Sequence, residues 1–129
     1  MTSKKSLKPT DKELEILQVI WEKGPVSVRD VHTSLGGETT NGYTTILKLL
    51  QIMHEKGIVT RQRNGKMHLY IAAYSQENIR QQMVDRMIHT VFKGSAMQLI
   101  MSALGSKRSS KKELDEIKKY LKGLGEDKS

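Results

Sequence analysis

The hydrophobic period of the chain changes from helical to alternating at Gly57. Beyond it, residues 58–63 and 66–71 form two alternating runs separated by Asn64-Gly65. Asn-Gly between two such runs is the strongest short-range signal for a β-hairpin, since a type I′ turn needs a positive φ at both central residues. We therefore predict a two-stranded hairpin. The side chains expected to face inward are Met67, Leu69 and Ile71, and those expected to face outward are Lys66, His68 and Tyr70.

Two capping boxes predict where the first two helices begin. Thr10 precedes Glu13 by three residues, and Ser27 precedes Asp30 by the same spacing. In this arrangement the hydroxyl and the acidic side chain each satisfy a backbone N–H at the start of a helix.

Glycines predict where the helices end. Gly24-Pro25 is expected to end the first helix, and Gly36-Gly37 the second after about two turns. A third helix is predicted from about Asn41 to Lys56, with Gly57 as its C-cap. The three helices therefore precede the hairpin directly.

Helix, short strand, short helix, helix and hairpin is the element order of a winged helix-turn-helix, in which the later helix enters the major groove of DNA. The short strand would lie at Val26 and Val28. Hydroxyl, amide and lysine side chains on the outer face of the third helix are groups that reach base edges, and cations at the hairpin suit phosphates. The candidate DNA contacts are Asn41, Tyr43, Thr44, Thr45, Lys48, Gln51, Arg61, Arg63 and Lys66.

The same residues have a plainer interpretation as a solvated helix face, which is the usual role of an exposed polar stripe. The short preceding helix, the capping spacing and the basic hairpin together favour DNA contact. Two other functions stay open: a protein-interaction module that docks an acidic partner, and an architectural protein that coats DNA with low specificity. Sequence-dependent binding to double-stranded DNA separates these from a specific regulator.

Composition excludes several other classes of protein. Lys and Arg number 22 against 14 Asp and Glu, and the resulting charge of +8 favours a polyanionic partner. Cysteine is absent, which excludes disulfides, thiolate metal sites and a cysteine nucleophile. The four histidines lack the spacing of a zinc helix, and there is neither a nucleophile elbow nor a glycine-rich phosphate loop. We therefore predict no enzyme activity, no cofactor, no metal and no small-molecule ligand.

Two further absences bear on location. No run approaches the roughly 20 apolar residues that cross a bilayer, and the basic N-terminus lacks the apolar stretch of a signal peptide. We expect a cytoplasmic protein.

Beyond Tyr74 the pattern is helical again and predicts three short helices, the first capped by Ser75. Three such helices are too small to close a stable core alone, so they either fold back on the first domain or pair with a second copy. Pairing is favoured because a symmetric dimer doubles the contacts with a palindromic site. The candidate dimerisation residues are Ile79, Met83, Met87, Val91, Phe92, Leu99, Ile100, Leu114, Ile117 and Leu121.

The predicted fold is mainly α with a small β-hairpin wing. It comprises an N-terminal winged helix-turn-helix and a C-terminal three-helix dimerisation domain. The expected divisions are a flexible basic tail (1–9), the DNA-binding domain (10–74), the dimerisation domain (75–124) and a second tail (125–129).

Four ordered segments resemble the penicillinase repressor (BlaI/MecI/CopY) family of transcriptional regulators: ELEIL at 13–17 with Ile20-Trp21, GPVSVRDV at 24–31, GYTTIL at 42–47 and HEKGIVTR at 54–61. The resemblance covers residues 9–122. It implies a homodimeric repressor that binds a palindromic operator in the promoter of its own or a neighbouring operon. Thr44, Thr45 and Lys48 fall where the family reads DNA.

The resemblance also bears on induction. In the penicillinase branch a membrane sensor-protease system leads to cleavage at an Asn-Phe-like bond in the dimerisation domain. The corresponding pair here is Ser102-Ala103, which marks the candidate cleavage region. The copper branch carries a C-terminal cysteine motif that this chain lacks, so copper sensing is not implied.

Overall fold

The computed structural model describes residues 8–37, 42–105 and 110–127, which form six helices and one antiparallel hairpin. This mainly helical chain with a β-hairpin wing confirms the predicted fold class. The elements are α1 (Asp11–Lys23), α2 (Val28–Ser34), α3 (Tyr43–Lys56), β1 (Val59–Asn64), β2 (Met67–Ala72), α4 (Gln76–Thr90), α5 (Ala96–Gly105) and α6 (Lys111–Asp127). No helix in these ranges is both long and apolar enough to cross a membrane.

Both predicted capping boxes are confirmed. At α1, Glu13 N donates to Thr10 Oγ1 (3.1 Å) while Thr10 N donates to Glu13 Oε1 (2.9 Å). At α2, the same reciprocal pair joins Ser27 and Asp30 at 3.1 and 3.0 Å. Each box satisfies two backbone donors at a helix start, which fixes where the helix begins.

One hydrophobic core joins the first three helices and the hairpin. Each element contributes an apolar stripe at its own period, so the helices pack around the hairpin base. The fully buried members include Ile16, Leu17, Val31, Ile46, Leu50, Met53, Ile58 and Val59.

The predicted position of the hairpin turn is wrong by one residue. Asn64 pairs with Met67, so the two central residues of the turn are Gly65 and Lys66. Only Gly65 has a positive φ (66°), which is the sign pattern of a type II′ turn rather than type I′. A type II′ turn needs a positive φ only at its first central position, which glycine adopts readily. Asn64 is therefore not needed within the turn.

The predicted facing of β2 is also wrong at Tyr70 and Met67. Tyr70 is 2% exposed and Met67 is 51% exposed. Tyr70 lies opposite Arg61 and therefore shares a face with Val59, which is buried. The outward prediction for Tyr70 treats tyrosine as a polar residue. Tyrosine is amphipathic, and here its ring is buried.

A single bridge attaches the chain before α2 to the hairpin. Val26 N donates to Tyr70 O (3.1 Å), and Tyr70 N donates to Val26 O (2.6 Å). Val28, predicted to lie in the same short strand, is instead the first residue of α2. Val26 thereby pairs with β2 along the edge that β1 leaves open.

The chain forms two compact units, Met1–Val84 and Asp85–Ser129. The first extends past Tyr74 because the start of α4 is held on α1. Trp21 Nε1 donates to the Tyr74 carbonyl (3.0 Å), and Ile79 is 1% exposed. The compact unit therefore ends inside α4 rather than at Tyr74.

The second unit has capped helices but no buried side chain among its described residues. Ser95 Oγ accepts from Gln98 N, and Ser110 Oγ accepts from Glu113 N, each at 3.1 Å. Large apolar side chains in this unit remain exposed in the single chain. They are Met87, Val91, Met97, Ile100, Met101, Tyr120, Leu121 and Leu124.

A buried carboxylate joins the start of α1 to the end of α3. Glu13 is 2% exposed, and Lys56 Nζ donates to its Oε1 (2.9 Å) and Oε2 (3.0 Å). The same carboxylate accepts from Thr10 N, so one buried group serves both a helix cap and an ion pair.

Replacing Glu13 by Ala is expected to destabilise the first unit by about 2 kcal/mol. The change removes the cap acceptor and the partner of Lys56, whose own exposure to water limits the loss. Glu15→Ala is the matched control, because its pair with Lys12 is exposed and contributes less than about 0.5 kcal/mol. Urea unfolding followed by circular dichroism measures both, and equal effects would contradict a special role for Glu13.

Candidate nucleic-acid interface

Helix α3 buries one side in the core and leaves the other side polar. Ile46, Leu50 and Met53 are fully buried. Thr44, Lys48 and Gln51 follow the spacing i, i+4 and i+7, and all three are exposed. This places a hydroxyl, an ammonium and an amide on one accessible face.

The ends of α3 are set by two glycines with different roles. Gly57 has φ 82° and ψ 12°, the left-handed conformation of a helix C-cap, which confirms the predicted end. At the other end the N-cap is Gly42, which provides no side-chain hydrogen bond. Its carbonyl accepts from Thr45 N and Ile46 N. The positive end of the helix dipole is thus left without a side-chain cap, as suits an anion such as a phosphate.

The ring of Tyr43 stands at the first position of α3. It makes an edge contact with the imidazole of His32, with ring centroids 5.9 Å apart. This contact links the exposed start of α3 to the preceding short helix. The phenol can donate or accept a hydrogen bond there.

The hairpin adds positive charge beside α3. Residues 59–72 contain three basic side chains, at Arg61, Arg63 and Lys66, and no acidic one. All three are exposed. Arg63 Nε donates to the Gly65 carbonyl (3.2 Å), which draws one guanidinium toward the turn. The wing therefore presents a cationic surface of the kind that meets phosphates.

Eight of the nine predicted DNA contacts lie among the described residues, and all eight are exposed. Five belong to α3 and three to the hairpin, two elements that adjoin in the first unit. The ninth, Asn41, lies outside the described residues.

Most predicted dimerisation residues keep some exposed apolar surface. Ile79 differs, since it is buried within the first unit and offers no surface to a second chain. The others are partly or fully exposed: Met83, Met87, Val91, Phe92, Leu99, Ile100, Leu114, Ile117 and Leu121. Ser102 and Ala103 are both exposed on α5.

Two basic residues near the interface were missed from the sequence. Arg29 and His68 line a cleft between α2, α3 and the hairpin. Arg29 follows the Ser27 cap by two positions, so its spacing carries no signal of its own. The alternation along β2 predicts an outward His68, but His68 shares its face of the strand with Tyr70, and both residues line the cleft.

No cluster of three or more potential metal-binding His, Cys, Asp or Glu side chains occurs in the part of the chain that the structure describes.

A short helix, a second helix with an exposed polar face and a cationic hairpin together define a winged helix-turn-helix DNA-binding protein. The chain belongs to the penicillinase repressor family, whose model matches residues 9–123. This is a family of transcriptional repressors and not of enzymes.

The similar proteins are distant in sequence but matched over most of their length. The chain is 22% identical over 109 residues to the methicillin resistance regulatory protein MecI of Staphylococcus aureus (strain N315), covering 84% of this chain and 89% of that protein. It is 25% identical over 116 residues to the transcriptional regulator BlaI of Mycobacterium tuberculosis (strain CDC 1551 / Oshkosh), covering 88% and 83%.

Two solved structures share the fold. The DNA-binding domain of the repressor BlaI matches with a TM-score of 0.51 and 25% identity, over 59% of this chain and 93% of that domain. A transcriptional regulator from Thermotoga maritima matches with a TM-score of 0.51 and 22% identity, over 91% of this chain and 74% of its own. The first match lends weight to the winged-helix assignment, and the second concerns the fold alone.

Proposed function

We propose that this DNA-binding transcriptional repressor acts as a homodimer on a palindromic operator. The observation that carries the proposal is the exposed polar face of α3, flanked by a helix start without a side-chain cap and by a cationic hairpin. Each winged helix would enter one major groove, with half-site centres about one helical turn or a small multiple apart.

Within each half-site, α3 supplies the contacts that distinguish one sequence from another. Thr44, Thr45 and Lys48 can reach base edges, since short hydroxyls approach closely and an ammonium donates to guanine acceptors. Arg61, Arg63 and Lys66 would meet the flanking phosphates, which position the protein without reading sequence.

The second unit supports pairing with a second copy. Its described residues bury no side chain in the single chain, although α6 carries Leu114, Ile117, Leu121 and Leu124 on one stripe. Exposed apolar surface of this extent marks a protein interface in a stable protein. A two-fold axis through this surface matches the symmetry of a palindrome.

Induction would follow from separation of the dimer, because a single half-site provides far less binding energy. The favoured event is cleavage in the region of Ser102-Ala103 by a membrane sensor-protease system, as the family resemblance implies. This bond lies inside α5, so local unwinding of the helix must precede cleavage. Cleavage there would remove α6 with its apolar stripe.

A footprint on the DNA upstream of the gene for this chain tests the function. At near-physiological salt with competitor DNA, we expect a protected palindrome with two groove-spaced halves. Weak uniform protection would instead favour an architectural protein that coats DNA. No protection on this or on genomic fragments would favour a module that docks an acidic protein.

Lys48→Ala is expected to lower the ratio of operator to random-DNA affinity by about tenfold, the scale of one direct base contact. Arg61→Gln should weaken both affinities alike and reduce the salt slope by about 0.9, the value for one phosphate contact. Lys23→Ala, which removes an exposed cation at the end of α1, is the control and should change neither. Fluorescence anisotropy over a salt series measures all of these. An unchanged ratio in Lys48→Ala would contradict the assignment of the groove face.

A chain ending at Val84 is expected to be monomeric and to bind the operator more weakly than the full chain. It retains the complete first core, including Ile79, so its fold should persist. Light scattering after gel filtration measures the mass, and circular dichroism checks the fold. A stable dimer of this shortened chain would contradict dimerisation through the second unit.

A further inference from the structure

A cleft of about 590 Å3 separates the hairpin from the two helices of the helix-turn-helix. One wall is formed by residues 27–30 around the start of α2, and another by Tyr43 and Leu47 of α3. Residues 66–68 and Tyr70 of the hairpin close the third side. Its volume lies within the range of roughly 300–1,000 Å3 that is typical of ligand sites.

The charged groups of this cleft favour an anion. Arg29 and Lys66 both line it and both are exposed, so their cationic groups are available. The only acidic side chain in the lining is Asp30, and its Oδ2 already accepts the Ser27 N–H at 3.0 Å. His68 adds a ring that can donate a further hydrogen bond.

The remaining walls are apolar or aromatic. Leu47 is half-buried, Tyr70 is buried, and the exposed side chain of Met67 stands at the hairpin. The Tyr70 ring contacts His68 edge-on at 6.5 Å. A site that combines two cations with apolar and aromatic lining residues matches a phosphate attached to a sugar better than a simple inorganic anion.

We propose that this cleft receives one sugar-phosphate unit of the DNA backbone, with Arg29 and Lys66 binding its phosphate and the apolar wall packing on its deoxyribose. The proposal rests on the proposed function. It extends the interface to α2, through Arg29, which lies outside the contacts expected from the sequence. The cleft is lined by α2, the proposed base-reading helix α3 and the cationic hairpin, and a backbone strand that leaves the groove would pass between α3 and the hairpin.

A free nucleotide carries the same chemistry as the backbone unit, so the experiment must separate the two sources. The first arm uses operator fragments in which one phosphate at a time is replaced by an uncharged methylphosphonate. The full-length chain should lose about fivefold in affinity at the phosphate that the cleft holds, the scale of one exposed ion pair. Arg29→Gln should bind more weakly overall but lose little further at that one position.

Arg80→Gln is the matched control, since it removes an exposed cation of α4 that does not line the cleft. It should keep the pattern of the parent chain at every phosphate. If Arg29→Gln also keeps that pattern in full, the cleft does not hold the backbone and the proposal is overturned.

The second arm adds a deoxynucleoside monophosphate at millimolar concentration as a competitor. If it displaces operator from the parent chain but not from Arg29→Gln, while the methylphosphonate patterns of the two stay the same, the cleft belongs to a free nucleotide and the backbone assignment is wrong. Failure of the parent chain to prefer any operator over random DNA would instead refute the proposed function itself.

Discussion

The buried carboxylate of Glu13 is the interaction on which the placement of α3 depends. It accepts the Thr10 N–H at the start of α1 and both oxygens bind Lys56 Nζ at the end of α3, so it ties the first helix to the proposed base-reading helix. The chain turns at Gly57 directly after this tie and enters the hairpin, where Ile58 N donates to Met53 O and Ala73 N to Ile58 O. The C-terminal end of α3 therefore fixes both the position of this helix and the start of the hairpin. A charge this buried is retained only with good partners, and here it accepts three hydrogen bonds from two groups, Thr10 N and Lys56 Nζ.

The two units of the chain leave different kinds of surface to the solvent. The first completes its own core and exposes hydroxyl, amide and cationic groups on α3 and the hairpin. The second exposes methionine, leucine and isoleucine side chains on its helices. Methionine is flexible and polarisable, which suits a surface that must fit a partner. A polar, cationic surface such as that of the first unit can bind a polyanion through charge. An apolar surface such as that of the second unit stabilises a complex only when a partner buries it away from water.

Local signals in the sequence were sufficient to predict the helices, the presence of the hairpin and the exposed face of α3, but not the position of the hairpin turn or the inward face of β2. The capping boxes at Thr10 and Ser27 and the C-cap at Gly57 each involve neighbours within a few residues. The features that escaped prediction depend on distant parts of the chain. Lys56 lies 43 positions from Glu13, and Tyr70 is turned inward by pairing with Val26 and β1. The cleft next to Arg29 exists only once α2, α3 and the hairpin have packed together, so no periodicity in the sequence predicts it.

In the hairpin turn, one residue sets the backbone geometry and a different residue carries the positive charge. Gly65 alone carries the positive φ, while Lys66 beside it has ordinary backbone geometry and an exposed side chain. Substitutions at position 66 are thus free of backbone strain, whereas position 65 resists change. Under the proposed function, a single codon at the wing tip can therefore raise or lower the general affinity for DNA and its dependence on salt. The preferred DNA sequence, which we propose is read by α3, need not change when position 66 does.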